Sequence, residues 1–529
     1  MRARRHIALA ILGGCLLLEA TAQSRFNERY STFGVTGQAE AWSVVELVDG
    51  SYLAVSTTPW VDDDLNWYYS SVVTMVRTDS EGALLSLSHF NVPYHATYPG
   101  WSNSAVLLPD GSVMVGGSTY EEDETQRPAI FRISPEGQPL GHWIYGAAGE
   151  SWIGRQAKQT TDGGFVICGE TSQPGPINNG SQPDAFVLKT DAQGNQEWVQ
   201  TYGAANRFEK AKSIDLSDDG GYFLGGTVST SSLLITDRQV FKINAQGAVQ
   251  WTRSWGTAMS DGPALVTTAA DGHVLVAGSK GNTPNWPYLS YLTKLDKNNG
   301  SIIWERTYGN PFSTDGYFTV VQEITPGGDL ITGGSTLTNE PVLGIMYRGS
   351  LLRTTPTGDS LWMRYYDYYD DEVSDGRGYF RDVQPTSDGG FIAVGQALPV
   401  GPYTSDVWVV KTDGFGCIEP GCHLITGMET QITNLRGALT VAPNPAASGG
   451  AVQVSIALPD GFVPQGQLRI TVTDALGRMV SEWPVREGIS TLNLPTAGKP
   501  ALGQPSTGLL NLHLHDASRW ISGAKLVVE

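Results

Sequence analysis

One short phrase returns seven times along this chain. It reads VDGSYLAVS from Val48, PDGSVMVGGS from Pro109, TDGGFVICGE from Thr161, DDGGYFLGGT from Asp218, ADGHVLVAGS from Ala270, PGGDLITGGS from Pro326 and SDGGFIAVGQ from Ser387. The corner glycines, from Gly50 to Gly389, lie 52 to 61 residues apart. A period of that size marks a solenoid, propeller or array, because a unit so small buries its apolar faces only by stacking on its neighbours.

A second phrase alternates with the first, as in LKTDAQGNQEWVQTYG from Leu188, FKINAQGAVQWTRSWG from Phe241 and TKLDKNNGSIIWERTYG from Thr293. Each is an alternating run, a Gly-bearing corner and another alternating run, the pattern of two half-buried strands joined by a hairpin. The Asp-Gly phrase joins a strand pair in the same way. One repeat therefore supplies four short strands, A to D, with tight A–B and C–D turns, and no stretch of comparable length carries helical apolar spacing. The expected fold is all-β: a seven-bladed β-propeller with four-stranded blades. The seventh repeat lacks its fourth strand after VWVVKTDGFG at Val407, whereas FNERYSTFG from Phe26 has that strand's character. The N-terminal strand is expected to complete the last blade and close the ring. A linear array has no reason to split a repeat this way.

The short A–B and C–D turns share one plain face, and the long B–C and D–A connections share the other. Loops on a rigid scaffold are where binding and catalysis concentrate, so any site is placed on the long-loop face. Its aromatic candidates for ligand binding are Trp60, Trp67, Tyr68, Tyr69, Tyr98, Trp101, Trp286, Tyr288, Tyr365 and Tyr366. Such rings give rigid, amphipathic contact area for a sugar or a protein partner; the structural alternative is that they pack loop against loop. Asp62, Asp63, Asp64, Asp370 and Asp371, with Asp367 nearby, are candidate ligands for Ca²⁺. The same carboxylates suit acid–base hydrolysis of a glycoside, and plain solvated loops are the alternative to both. Trp198, Trp251 and Trp304 recur at one point of successive repeats and read as structural. No His-Glu-x-x-His, Gly-x-Ser-x-Gly or phosphate-loop motif is present.

The first 22 residues carry three Arg, an apolar run and Ala20-Thr21-Ala22, which read as a secretory signal peptide. No later segment reaches the roughly 18 to 20 consecutive apolar residues that span a bilayer, so no transmembrane segment is expected. Cys417 and Cys422 flank a Pro-Gly turn and are expected to pair outside the reducing cytosol. Cys168 alternates onto a strand and reads as a buried thiol.

The expected organisation is signal peptide 1–22, propeller 23–425, linker 426–436 and a small C-terminal β-sandwich, 437–529. That last stretch opens with Pro443-Asn444-Pro445-Ala446, carries Asp474-Ala475-Leu476-Gly477-Arg478 at a central turn, and ends with Ser506-Thr507-Gly508-Leu509-Leu510 and Lys525-Leu526-Val527-Val528. In these motifs it resembles the type A C-terminal sorting domain of the type IX secretion system of Bacteroidota. It departs from that pattern at Leu509, where an aromatic is usual, and in the insertion from Pro495 to Pro505. The resemblance implies Sec export followed by outer-membrane translocation, the type IX machinery as partner, and a secreted or cell-surface address.

The formal charge is −19. The seven basic and six acidic residues from Arg436 onward carry +1, and three Arg with Glu19 in the first 22 residues carry +2, leaving −22 on the repeats and linker. That balance argues against nucleic acid, whose affinity rests on Lys and Arg neutralising phosphates. The leading expectation is a noncatalytic binding or adhesion module for polysaccharide or a surface protein, with no cofactor beyond possible Ca²⁺. The competing one is a glycan-active enzyme, a hydrolase or lyase using carboxylates or Tyr on the long-loop face.

Overall fold

A computed structural model describes residues 23–529 except 33–38, 60–70, 93–94, 122–124, 148, 173–181, 205–206, 231–234, 282–287, 310–315, 325–327, 341–343, 369–376, 399–404, 420–421, 423–430, 433–437, 448–450, 459–461, 463, 465, 475–478, 487–490, 496–507 and 517–518. The described chain is all-β, and no helix in it is long and apolar enough to cross a membrane.

Each repeat folds into its own antiparallel sheet, with strands in the order A-B-C-D. Sheet 1 runs Glu40–Glu46, Tyr52–Pro59, Ser71–Thr78 and Leu84–Phe90. Sheet 2 has its strand A broken into Ala96–Pro99 and Ala105–Leu107, followed by Val113–Tyr120, Gln126–Ile133 and Pro139–Ile144. Sheets 3 to 6 begin with strands Ser151–Gln159, Glu209–Leu216, Leu265–Thr268 and Gly316–Ile324 and end with Gln196–Tyr202, Val249–Trp255, Ile302–Tyr308 and Ser360–Tyr366. Sheet 7 takes Arg377–Pro385, Phe391–Leu398 and Asp406–Thr412 from the seventh repeat. Its fourth strand is Phe26–Tyr30, antiparallel to Asp406–Thr412 with Phe26 opposite Lys411 and Tyr30 opposite Val407.

The core is divided among the junctions. Buried side chains of sheets 1 and 2, such as Val55, Val115 and Phe131, form one cluster. Others join sheets 2 and 3 through Ile130 and Phe186, sheets 3 and 4 through Val187 and Leu224, and sheets 4 and 5 through Phe223 and Tyr291. Leu292 and Phe318 join sheets 5 and 6, and Leu351 and Phe380 join sheets 6 and 7. A further cluster joins Val394 and Val409 of sheet 7 to Ala41 and Ala54 of sheet 1. Strands B and C are thus covered on both faces, which is why they read as continuous apolar runs.

Polar bonds repeat at the same junctions. The outermost strand of one sheet donates to the C–D corner of the next: Ser88 to the Gly137 carbonyl, Tyr145 to Gly194, Tyr202 to Gly247, Trp251 to Lys297, Tyr308 to Gly358 and Tyr366 to Gly416, at 2.5 to 3.0 Å. These corner glycines have positive φ. A Cβ on Gly300 or Gly358 would strike Trp251 or Trp304 of the preceding sheet, and one on Gly247 would reach Trp198. The recurrent Trp is therefore a packing residue, as expected. On the plain face an Asp in the A–B corner, or in sheet 6 the first residue of strand B, pairs with a strand C cation: Asp49 with Arg77, Asp110 with Arg132, Asp162 with Lys189, Asp219 with Lys242, Asp271 with Lys294, Asp329 with Arg353 and Asp388 with Lys411.

The C-terminal stretch forms a five-stranded and a three-stranded sheet around a separate core that includes Val454, Ile470, Leu512 and Ile521. Cys417 and Cys422 form a disulfide with Cα atoms 5.6 Å apart. Cys168 is a buried free thiol, pushed up to about 12 by burial.

Candidate functional site

Five innermost strands carry a β-bulge at one point. The register skips between Ala41 and Ser43, Gly154 and Gln156, Ala211 and Ser213, Phe318 and Val320, and Phe380 and Asp382. The extra residues are Trp42, Arg155, Lys212, Thr319 and Arg381. A bulge leaves one residue out of the ladder and re-aims its side chain. Four of these five converge, joined by Trp101 from the break in strand A of sheet 2. Gly100 lets the chain turn there: its N–H donates to the Gly116 carbonyl at 2.6 Å, and any Cβ on it would collide with the Arg155 carbonyl.

Trp42 and Trp101 are stacked, with centroids 6.1 Å apart and planes 16° from parallel. The Arg381 guanidinium lies 5.0 Å from the centre of Trp42, and Lys212 and Arg155 lie 4.6 and 5.2 Å from Trp101. Arg381 also approaches the rings of Tyr317 and Tyr379, both at 5.8 Å, and Tyr379 packs on Tyr347 at 5.1 Å. The result is a row of cations and rings at the ends of the innermost strands opposite the Asp-Gly corners. Beneath it lies a narrow cleft lined by Trp101, Asn103, Gln156, Lys212, Val266 and Thr319, among others.

Two carboxylates answer these cations. Glu40 accepts from Arg381 Nε at 2.5 Å, and Arg381 Nη1 donates to the Tyr317 hydroxyl at 3.3 Å. Glu170, from strand B of sheet 3, is buried between Arg155, Lys212 at 2.9 Å and Lys210 at 3.6 Å. Burial works against its charge, but Lys212, Arg155 and Lys210 together hold the carboxyl down at about 2. Burial also dominates at Lys212 and brings its ammonium down to about 8, although Glu170 pulls the other way. Tyr379 is pushed up to about 12, chiefly by burial. With Arg155, Lys210, Lys212 and Arg381 against Glu40 and Glu170, this cluster carries two excess positive charges on a strongly acidic chain.

Of the residues expected from sequence, Trp101 enters this site. Its ring is stacked on Trp42 and approached by Arg155 and Lys212, so it packs against the cations and holds them in place. Tyr98 and Tyr288 are half-buried on strands. Tyr365 and Tyr366 correct the expectation: both are buried on the outer strand of sheet 6, and Tyr366 spends its hydroxyl on Gly416. Asp367 is also buried, 3.1 Å from Arg348. Trp60, Trp67, Tyr68, Tyr69 and Trp286, and the acidic Asp62, Asp63, Asp64, Asp370 and Asp371, lie outside the described residues. Trp42, Arg155, Glu170, Lys210, Lys212, Tyr317, Tyr379 and Arg381 escaped the sequence reading. A signal existed: Trp42, Arg155, Lys212 and Arg381 each stand eight residues before the corner glycine of their repeat.

No protein-family model and no curated protein matches the chain. Among solved structures it is similar to an α-L-arabinanase from Penicillium chrysogenum complexed with arabinobiose, at 12% identity over 74% of this chain and 97% of that one, TM-score 0.38. It is also similar to the β-propeller domain of the Trilobed protease from Pyrococcus furiosus, at 10% identity over 72% and 96%, TM-score 0.38. A quinohemoprotein alcohol dehydrogenase from Comamonas testosteroni is 10% identical over 84% and 74%, TM-score 0.40. Likenesses this distant carry no chemistry to this chain.

Proposed function

We propose that this is a glycan-directed protein of the cell exterior, whose ring of bulge residues takes an acidic polysaccharide bearing uronate or sulfate. The observation that carries the reading is the convergence of Arg155, Lys212 and Arg381, each lifted out of its ladder at the same strand position and held against Trp42 or Trp101. Cations held rigid in a cleft attract an anion strongly at short range, and the acidic charge of the surrounding repeats opposes that attraction at long range, where salt screens it.

The scaffold in this reading is a closed seven-bladed propeller over 23–425, followed by a linker and a type IX sorting domain over 437–529. Closure is supported by bonds between sheets 7 and 1: Arg381 to Glu40, and Ser43 Oγ and Val44 N–H to the Asp382 carboxylate at 3.1 Å. Export through the signal peptide and the type IX route rests on the sequence motifs, and Ca²⁺ on the acidic loops remains part of the proposal.

The enzyme form of the reading is elimination. Hydrolysis needs a carboxyl free to protonate or attack, and Glu40 and Glu170 are both held in ion pairs. Lys212 is paired too, with Glu170 at 2.9 Å, but burial loosens its proton. At about 8 its ammonium leaves roughly a tenth of the amine neutral at pH 7, and perturbed groups in clefts mark functional sites. The amine takes the proton α to a uronate carboxylate while Arg155 or Arg381 holds that carboxylate. The C–O bond β to it breaks, and the departing oxygen takes a proton from water.

The test is titration of the protein with a polyuronate, a sulfated glycan and a neutral glucan, while following unsaturated ends. Preference for the acidic chains, lost in Arg155→Ala and Arg381→Ala, supports the site. New unsaturated ends abolished in Lys212→Met support the lyase, and binding without them leaves a noncatalytic module. Equal affinity for the neutral glucan overturns the proposal.

A further inference from the structure

Strand Arg519–Val528 of the C-terminal unit faces two cores. Ile521, Leu526 and Val528 point into their own domain, while Trp520, one residue before Ile521, is buried among Phe391, Trp408, Cys417 and Cys422 of the last repeat. The ladder skips Ile521, with Ser522 opposite Leu514 and Trp520 opposite His515, so this bulge turns Trp520 to the face opposite Leu526 and Val528 and lets one strand serve both sides. The Trp520 indole N–H donates to His513 Nδ1 at 3.1 Å, which fixes the ring as it leaves its own sheet. Glycine stands at 523, where a Cβ would lie 2.9 Å from Glu419 Cγ inside the disulfide loop. Strand Gln431–Ile432 pairs in parallel with Arg519–Trp520 and lies against strand Ser360–Tyr366 of sheet 6.

We infer that the Cys417–Cys422 disulfide is a seat built for the C-terminal unit, with Trp520 as its plug, so that closing the bond completes the docking surface. The bonded Cys417 and Cys422 both lie in the buried cluster that receives the indole. Once the bond is reduced, Cys417 and Cys422 are no longer held together and the plug loses its far wall. The unit is therefore held by the oxidised chain and loosened in the reduced one. This inference is independent of what the cluster of Arg155, Lys212 and Arg381 binds.

The test is full-length protein with a protease recognition site inserted within residues 423–430, cut while folded and passed through a sizing column at micromolar concentration. The two pieces of the oxidised chain are expected to co-elute. Trp520→Ala, Gly523→Ala and a Cys417→Ser/Cys422→Ser pair are each expected to weaken their association at least tenfold. Gly523→Ala adds its methyl on the seat side, so loss of association there is not loss of the C-terminal core. Oxidised wild-type pieces that separate overturn the seat. Co-elution of the Trp520→Ala and Gly523→Ala pieces as tightly as wild type overturns the plug, and unchanged association of the serine pair overturns the role of the disulfide.

Discussion

The Tyr30 hydroxyl donates to the carbonyl of Gly82 at 2.6 Å. Tyr30 ends the N-terminal strand of sheet 7, and Gly82 sits in the C–D corner of sheet 1, so the bond repeats between the chain's first strand and its first full repeat what Tyr202 does to Gly247. Losing the hydroxyl in Tyr30→Phe is expected to cost about 1 kcal/mol. Gly82→Ala is expected to cost more. Its φ of 86° adds about 1–2 kcal/mol for a left-handed residue, and its Cβ would lie 2.6 Å from the Phe26 ring. Denaturant unfolding of both variants checks the order; a Gly82→Ala protein as stable as wild type would show that this junction is not closed.

The seven plain-face ion pairs are not equivalent. Lys411 is 0% exposed against Asp388 at 19%, whereas Arg132 and Asp110 are 38% and 51% exposed. Removing one partner of a buried pair strands the other, so Lys411→Met is expected to lose about 3 kcal/mol. Arg132→Met should lose less than about 1 kcal/mol, because water screens an exposed pair. Thermal unfolding of the two variants distinguishes them.

Acid should find Glu170. Its folded value of about 2 lies below the ordinary 4.5, so its ion pairs stabilise the protein fully above 4.5 and the contribution is lost as pH falls through about 2. A stability profile from pH 6 to pH 2 should therefore be flatter in Glu170→Gln than in wild type.

Alkali should find Lys212. With its value lowered to about 8, its charge, and with it part of the attraction for an anionic glycan, is lost as pH rises through about 8. Lys212→Arg keeps its charge and should remove that limb of the binding profile. Affinity unaffected between pH 7 and pH 9 in wild type would place the anion elsewhere.

Salt separates cation-driven binding from stacking. Arg155, Lys212 and Arg381 are 22, 10 and 20% exposed. Salt therefore acts on them mainly by screening the approaching chain, over about 8 Å at physiological ionic strength, and wild-type affinity for a polyuronate should fall with added salt. Arg381→Ala should bind more weakly at low salt and respond less to it. Trp42→Phe should mostly retain the salt response, because the cations stay.

The architecture was legible because it is written in period and turn chemistry. A corner glycine recurring every 52 to 61 residues needs positive φ wherever it stands, and the alternation around it can form only strands. Even the missing fourth strand of the last repeat could be located, since Phe26–Tyr30 has the pattern of the strand it replaces. The Asp-to-cation pairing across every A–B corner was equally present in the letters, at Asp388 and Lys411 as at Asp49 and Arg77, and went unread because the two members lie on different strands.

The site was not legible in that way. Long aromatic loops drew attention, yet Tyr365 and Tyr366 had a place in the ladder and a buried face, and the sequence does not say which side of a strand is covered. Repeat, strand order, corner chemistry and the disulfide partners follow from the sequence by itself, because each depends on residues close together or recurring at fixed spacing. Which side chains meet was decided only by tertiary structure. A bulge turns one residue in each of five innermost strands out of register, and Trp42, Arg155, Lys212 and Arg381 become neighbours only when sheets far apart in the chain lie side by side.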